Sequence, residues 1–440
     1  MQKIQMNPGA AALLDALHGA GYAAYAVGGC VRDGLLGQRP HDWDLCTSAL
    51  PQQVMDLFGA AQCIPTGLQH GTVTVKQEGG LYEITTFRTE GTYSDGRHPD
   101  SVQFVPEVTE DLARRDFTIN AMAYNETEGL VDPFGGQNDL REGIVRAVGV
   151  PHQRFEEDAL RILRLYRFAA RFGFAIDPST GQAAEELCAH LDCVSVERIA
   201  EELAKLLAAP APSNYLNEKI LDVILPELSA EALEAAKPVL NACPAGTEDL
   251  PVRLAALLYS LGEMGTRKVL KRLRYSNALI EETAVLVRES GAGEPEALVI
   301  YTRRLLGKYD LKTVQRLAAL GTAMEPERAA EFAALAQLAG QLEADGVCCR
   351  VSQLAVNGRD LMAAGIPAGP KLRQVLEALL DAVIREQLPN EREALLTLAQ
   401  KITETNWLPP VGGNRSPRGE GFCPGLSCKN GFLQRENPAP

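Results

Sequence analysis

The sequence predicts an α+β protein in which a small α/β head precedes an all-helical neck, body and tail. Three observations carry that expectation. Short runs rich in β-branched and aromatic residues are confined to about the first 146 residues. From about Phe155 they give way to Ala-, Leu- and Glu-rich segments with helical spacing, up to about residue 403. The final stretch, "PPVGGNRSPRGEGFCPGLSCKNGFLQRENPAP", is dense in Gly, Pro and polar residues and is expected to be disordered. At 440 residues the chain exceeds one hydrophobic core. The divisions read are a head at 1–146, a neck at 147–210, a body at 211–290, a tail at 291–405 and the disordered 406–440.

Taken in order, Asn7-Pro8 before an alanine- and leucine-rich run reads as a capped helix, not a signal peptide. "YAAYAV", "GTVTVKQ", "LYEITTF", "SVQFV" and "NAMAYN" read as strands, with "PQQVMDLF" and "TEDLARR" as intervening helices. "FRTEGTYSDGRHPDS", Phe87 to Ser101, is long, polar and glycine-containing, as a mobile loop would be. "EEDALRILRLYRFAARFGF" places Leu160, Leu163, Phe168 and Phe172 at the spacing of one amphipathic helix. "STGQAAEELCAHL" and "SVERIAEELAKLLAA" continue the helical pattern.

Composition narrows the class. A chain 46% hydrophobic and 23% charged, with no run of eighteen apolar residues, is expected to be soluble and to have no membrane span. Ten cysteines without regular spacing point to reduced thiols and a cytoplasmic setting. No histidine follows His190, which excludes a His-Asp metal hydrolase domain there. The net charge of −14 opposes nonspecific binding to nucleic acid, but leaves room for a specific RNA partner on local basic patches. Three such stretches are "REGIVRAVGVPHQRF" with the helix after it, "TRKVLKRLRY" and "YTRRLLGKYDLKTVQRL". Each also reads as a solvated helix face.

The chemistry concentrates in "YAVGGCVRDGLLGQRPHDWDL". Asp42 and Asp44 stand two residues apart, so on a strand both carboxylates share a face and repel unless a cation lies between them. A hard divalent ion, Mg²⁺, suits such oxygen ligands and serves phosphoryl or nucleotidyl transfer. Alone, D-x-D also describes a solvated turn. Gly28 and Gly29 upstream allow close backbone approach to phosphate, and Arg32 at the next helix start adds charge. The combination reads as a binder of a metal-bound triphosphate. No Walker or Rossmann glycine motif occurs.

These residues resemble the nucleotidyltransferase superfamily that includes DNA polymerase β, and within it the class II CCA-adding enzymes. "GGCVRDGLL" with "DWD" is similar to the family's metal and triphosphate motif, and "RRDFTINAMAYN" to its second motif. Asp132, Gly136 and Arg146 fit its D-x3-G-x9-R pattern, "EEDALR" its E-D-x-x-R motif and "SVERIAEEL" a further helical one. "GRDLMAAGIPAGPKL" looks like a C-terminal family segment whose Gly-Pro helix start suits phosphate. The resemblance implies a polymerase β-like catalytic head, base recognition in the neck and tRNA binding in the tail. It implies template-independent addition of CCA to the 3′ end of tRNA from CTP and ATP. Bacterial poly(A) polymerases share these motifs, as do A-only and CC-only tRNA enzymes. An idle scaffold that binds RNA is the reading from a different class.

The base-reading pair is expected to be Asp158 and Arg161, on one face of a helix. A carboxylate only accepts hydrogen bonds and a guanidinium only donates. Cytosine and adenine each offer an amino donor beside a ring-nitrogen acceptor, which that pair complements; uracil and guanine invert the pattern. An intrahelical ion pair is the plainer alternative. Arg114, Arg115, Asp116 and Arg164 are expected beside the nucleotide, with a basic helix end as the alternative for the first three. Glu83 in "LYEITTF" stands as a possible third metal carboxylate or as a solvent-exposed strand residue. By resemblance, the 87–101 loop switches C to A addition, and Asp132, Gly136 and Arg146 form a springy junction of head and neck.

Overall fold

The structure, a computed structural model, describes residues 4–78, 80–91, 102–290 and 297–405. The chain divides into two compact units: 1–298 with 309–343, and 299–308 with 344–440. The expected neck, body and tail divisions therefore do not coincide with this partition.

The first unit opens with α1 (Pro8–Gly19), capped by Asn7, whose Oδ1 accepts from Gly9 N at 2.8 Å. The head then runs β1 (Ala24–Val27), α2 (Gly29–Leu35), β2 (Asp44–Thr47), α3 (Pro51–Phe58), β3 (Cys63–Gly67), β4 (Thr72–Gln77), β5 (Gly80–Thr86), β6 (Arg88–Glu90), β7 (Val102–Phe104), α4 (Val108–Ala113), β8 (Ala123–Asn125), β9 (Gly129–Val131) and α5 (Gly136–Glu142). Seven strands make one mixed sheet in the order β3-β4-β5-β2-β1-β8-β9, in which only β2 and β5 pair in parallel. Tyr25, Val27, Cys46, Phe87, Leu112 and Ala123 pack over one face as a buried cluster.

The expected mobile loop is partly structured. Phe87 is fully buried, and β6 pairs with β7. Residues 92–101 of that expectation lie outside the described residues, as does the 406–440 segment.

Next come β10 (Ile144–Val145), α6 (Pro151–Glu157), α7 (Leu160–Phe172), β11 (Ala175–Ile176), α8 (Pro178–Glu186) and α9 (Val196–Leu207). Two expectations need correction. The strand signal does not end at Phe155, because β11 pairs in parallel with β10. Nor is "EEDALRILRLYRFAARFGF" one helix: Asp158 has φ −145° and ψ 103°, extended values that separate α6 from α7. Helical periodicity survives a one-residue break, so spacing alone does not reveal it.

The unit continues through α10 (Glu218–Ile224), α11 (Ala230–Ala242), α12 (Leu250–Leu258), α13 (Gly262–Arg272) and α14 (Asn277–Glu289). After α15 (Leu298–Lys308), which lies mostly in the second unit, it resumes with α16 (Leu311–Met324) and α17 (Ala329–Ala344). Arg253 of α12 is fully buried yet satisfied: its guanidinium donates to the carbonyls of Leu207, Ala209, Cys243 and Pro244. It thereby fastens the end of α9 to α12.

The second unit holds α15, α18 (Gly358–Ala363), α19 (Pro370–Ile384) and α20 (Arg392–Thr405). Its core is Val356, Leu361, Ile366, Val375, Leu379, Leu395 and Ile402. The Gly-Pro start of α19 is present, with Gly369 at φ +119°. No described helix is long and apolar enough to cross a membrane.

Candidate functional site

The sheet gathers the carboxylates. Asp42 lies in the bend before β2 and Asp44 is its first residue; both are exposed, while Trp43 between them is buried. Glu83 sits opposite Asp44 in the parallel register of β2 and β5, exposed between buried Tyr82 and Ile84. Paired residues of neighbouring strands project from one face, so Glu83 joins Asp44, and Asp42 in the bend just before β2 adds its charge to theirs. Desolvation raises the Asp44 carboxyl above its ordinary value; Arg115 opposes this, and the Glu83 and Asp42 charges add to it. The donor set is all hard carboxylate oxygen under mutual repulsion, which fits a divalent cation. Among the described residues no group of three or more His, Cys, Asp and Glu side chains converges as a ready-made metal cluster. Asp44 and Glu83 share a face and Asp42 adds to their field, but the three do not form a preformed cage.

The glycine turn lies beside them. Gly28 has φ +78°, and a Cβ there would stand 2.9 Å from Arg115 Nη1. Its N–H already donates to Met122 O at 3.1 Å, so Gly28 contributes space to the turn rather than a free donor. Gly29 opens α2, with Arg32 Nη2 3.5 Å from its would-be Cβ.

Arg114 and Arg115 extend from the end of α4 and are organised by Asp111, a fully buried residue that motif reading passed over. Arg114 donates Nε and Nη2 to Asp111 Oδ1 at 3.0 and 2.9 Å. Arg115 has only a 3.4 Å bond from Nη2 to Asp111 Oδ2, and its buried Nε has no partner among the described residues. A guanidinium so poorly satisfied, against Gly28 and within the field of Asp44, is poised for an anion.

Arg32 is placed differently from the expectation of an open phosphate ligand. It is 4% exposed, donates Nε to Asp33 at 2.8 Å and Nη1 to Asn120 at 2.5 Å, and lies over Phe168 and Phe172 of α7. A buried guanidinium needs such partners, and the aromatic ring pair covers its face. It braces the glycine turn from beneath.

Asp116 and Arg164 form a second network. Asp116 Oδ2 accepts from Arg164 Nε and Nη2 at 2.9 and 2.5 Å, and Oδ1 from Phe117 N and Asn120 Nδ2 at 2.8 and 3.0 Å. Burial would raise this carboxyl, but Arg164 and then Asn120 hold it well below the usual carboxylate range. Asn120, which sequence reasoning missed, thus bonds both Arg32 and Asp116. Its position in "RRDFTINAMAYN" was the available signal.

Asp158 and Arg161 are not on one helix face, because the helix is interrupted at Asp158 itself. Asp158 Oδ1 accepts from Leu160 N at 3.1 Å and Oδ2 from Arg198 Nη2 at 2.8 Å. Arg161 donates Nη1 to Glu157 Oε2 at 2.5 Å and Arg154 O at 3.0 Å, and Nη2 to Arg114 O at 3.1 Å. Of its five N–H donors, Nε–H and one on Nη2 have no partner among the described residues.

At the end of the head, Asp132 caps α5 through Gly136 N and Gln137 N at 2.7 and 2.9 Å. Arg146 bridges Asp139 of α5, at 3.2 Å, and Asp177, which caps α8.

A mixed sheet with Asp44 and Glu83 on one face and Asp42 in the adjoining bend, beside a glycine turn and an under-bonded arginine, defines a nucleotidyltransferase head. The family model of the poly A polymerase head domain matches residues 24–146, and that of tRNA nucleotidyltransferase domain 2 matches 251–399. A third, described as "Probable RNA and SrmB- binding site of polymerase A", matches 173–231. The CCA-adding enzyme of Lactiplantibacillus plantarum is 37% identical over 401 residues, 89% of this chain and 96% of that protein. That of Geobacillus stearothermophilus is 38% identical over 388 residues, 85% of this chain and 92% of that protein. The crystal structure of the Bacillus stearothermophilus CCA-adding enzyme in complex with CTP superposes with a TM-score of 0.77 at 32% identity, covering 91% of this chain and 99% of that one. The chain belongs to the CCA-adding enzyme family.

Proposed function

We propose that the chain adds CCA to the 3′ end of tRNA from CTP and ATP, with its own side chains selecting C and A. The observation that carries this reading is the shared face of Asp44 and Glu83, with Asp42 in the adjoining bend and within the field of Asp44, next to Gly28 and the under-bonded Arg115. Asp42, Asp44 and Glu83 would hold the divalent cation, assigned as Mg²⁺, which when bound supplies a Lewis acid to the RNA 3′-hydroxyl and the α-phosphate. Arg115 neutralises triphosphate charge, and the missing Cβ of Gly28 leaves room for it. The new bond joins the RNA 3′-oxygen to the α-phosphorus as the bond from that phosphorus to the α–β bridging oxygen breaks; the hydroxyl proton passes to solvent water, and pyrophosphate leaves with its charge met by Arg115. Asp116, bound to Arg164 and Asn120, fixes the turn after Arg115 against α7. Arg114 and Arg32 act as braces through Asp111, Asp33 and Asn120.

Base choice is assigned to Asp158 and Arg161. Asp158 accepts from the amino group of cytosine or adenine, and an uncommitted N–H of Arg161 donates to the ring nitrogen. Uracil and guanine would leave groups on both sides unpaired, at about 1–3 kcal/mol each. The cytoplasm is the assigned compartment, supported by eight described cysteines that are all free thiols.

The test supplies Mg²⁺ and a tRNA transcript lacking its final CCA, with each nucleotide singly and then CTP with ATP. Growth by two C and then one A is expected at single-nucleotide resolution. Long A tracts on arbitrary RNA would assign a poly(A) polymerase instead, and arrest after CC, or A addition only to CC-ended tRNA, a partial tRNA enzyme. No extension would leave an RNA-binding scaffold.

A further inference from the structure

We infer that Arg198 is a positioning residue for nucleotide choice: it holds the Asp158 carboxylate away from Arg161, so that the acceptor and donor of base reading do not neutralise each other. The inference rests on the base-reading roles proposed above for Asp158 and Arg161.

The physical problem is plain from the sequence. A carboxylate and a guanidinium three residues apart pair with each other on a continuous helix, and paired they offer little to a base. Two features prevent this. The extended backbone at Asp158 takes it out of the helical path before α7 begins. Each charge then has another partner. Arg161 is tied to Glu157, Arg154 O and Arg114 O. The Asp158 carboxylate is tied to Arg198 Nη2 at 2.8 Å, from the first turn of α9; Arg161 N donates to Asp158 O at 3.0 Å, but among the described residues no bond joins the two side chains.

The α9 side of the contact is equally specific. Glu202, one turn after Arg198, is 4% exposed and pairs with Arg167 Nε at 2.5 Å, with Lys205 of its own helix at 3.6 Å and with Arg164 at 4.0 Å. Arg198 and Glu202 are four residues apart on one helix and could pair with each other. Instead α9 sets its cation against the anion before α7, and its anion against the cations along α7. Buried Leu163 of α7 and Leu203 and Leu206 of α9 already pack the two helices together. Arg198 is therefore not needed merely to join them. Its side chain is 21% exposed and that of Asp158 15%, so the pair lies at an accessible edge where a base can reach the carboxylate.

The test uses the full chain, Mg²⁺ and tRNA lacking its CCA, with CTP, ATP, UTP and GTP supplied singly. In Arg198→Ala, KM for CTP and ATP is expected to rise about tenfold with kcat little changed, and the preference for CTP over UTP to fall by a similar factor. Asp158→Ala sets the scale, and Arg198→Lys is expected to recover most of the loss because an ammonium can still hold the carboxylate. Arg198→Gln, which keeps size and a donor without the charge, serves as the second variant should the alanine chain melt early. Wild-type discrimination in both Arg198→Ala and Arg198→Gln, or a loss confined to melting temperature, would overturn the inference. The unaltered chain run alongside reports separately on CCA addition, so the two readings can fail independently.

Discussion

Arg115 and Arg114 are neighbours with different fates. Arg114 has two short bonds to Asp111, whereas Arg115 keeps one long bond and a buried, partnerless Nε beside the glycine turn. Bound phosphate oxygens would satisfy Arg115 where the protein does not. Arg115→Ala is thus expected to raise KM for CTP and ATP about tenfold. It should leave the choice of C over U intact, because Asp158 and Arg161 are untouched. Asp44→Asn differs in kind: it removes charge from the carboxylate face and keeps its shape. Incorporation is expected to fall about a hundredfold or more while tRNA affinity is retained. Steady-state kinetics with filter binding separate these outcomes, and a wild-type rate in Asp44→Asn would remove the carboxylate face from catalysis.

Among the elements, those set by local chemistry were legible and those set by distant pairing were not. The Asn7-Pro8 cap, five of the strands and the helices before and after the interruption at Asp158 follow from side-chain periodicity and turn residues. The D-x-D pair stood out from its spacing alone, although Asp42 falls in the bend before β2 and only Asp44 lies on the strand. Glu83 stayed ambiguous because only the β2–β5 register, between residues far apart in sequence, brings it to Asp44. The burial of Arg32 was illegible for the same reason: Phe168 and Phe172, which cover it, come from a helix more than a hundred residues later. Gly136 tests how tightly an element is set. Its Cβ would fall 2.2 Å from Thr118 O and 3.0 Å from Met122 Cγ, so the start of α5 permits no side chain. Gly136→Ala is expected to cost about 2 kcal/mol in a urea melt and to lower kcat/KM by displacing the turn that carries Asn120. Gly135, at φ +75° in open space, offers a contrast: alanine there should cost about 1 kcal/mol without moving that turn. Equal losses of activity at both positions would argue against a specific fit at Gly136.

Across the whole molecule, charge is used more for internal fastening than for an open basic surface. In the basic stretches read from sequence, Arg267 pairs with Glu263 and Glu281, Arg272 with Glu227, Arg304 with Asp381 and Arg316 with Glu282. With a net charge of −14, such pairing makes the fold sensitive to acid. Asp116 and Asp177 are both held below their ordinary values. Burial opposes this in each; Arg164 overcomes it for Asp116, and Ser179 and Thr180, with Arg146, for Asp177. The sign follows from linkage. A depressed carboxyl stabilises the fold fully above its unfolded value, about 3.9, and that contribution fades as pH falls through the folded value. Melting temperature is therefore expected to hold between pH 7 and about 5 and to drop steeply below about 4. Asp116→Asn leaves Arg164, itself partly exposed, with only the more distant Glu202 carboxylate and should cost about 2 kcal/mol at neutral pH. The variant should also show a shallower acid decline, since the group that must be protonated is gone. Calorimetric melts of both proteins at four pH values check the sign as well as the size. Parallel acid slopes would place the acid-sensitive groups elsewhere in the fold.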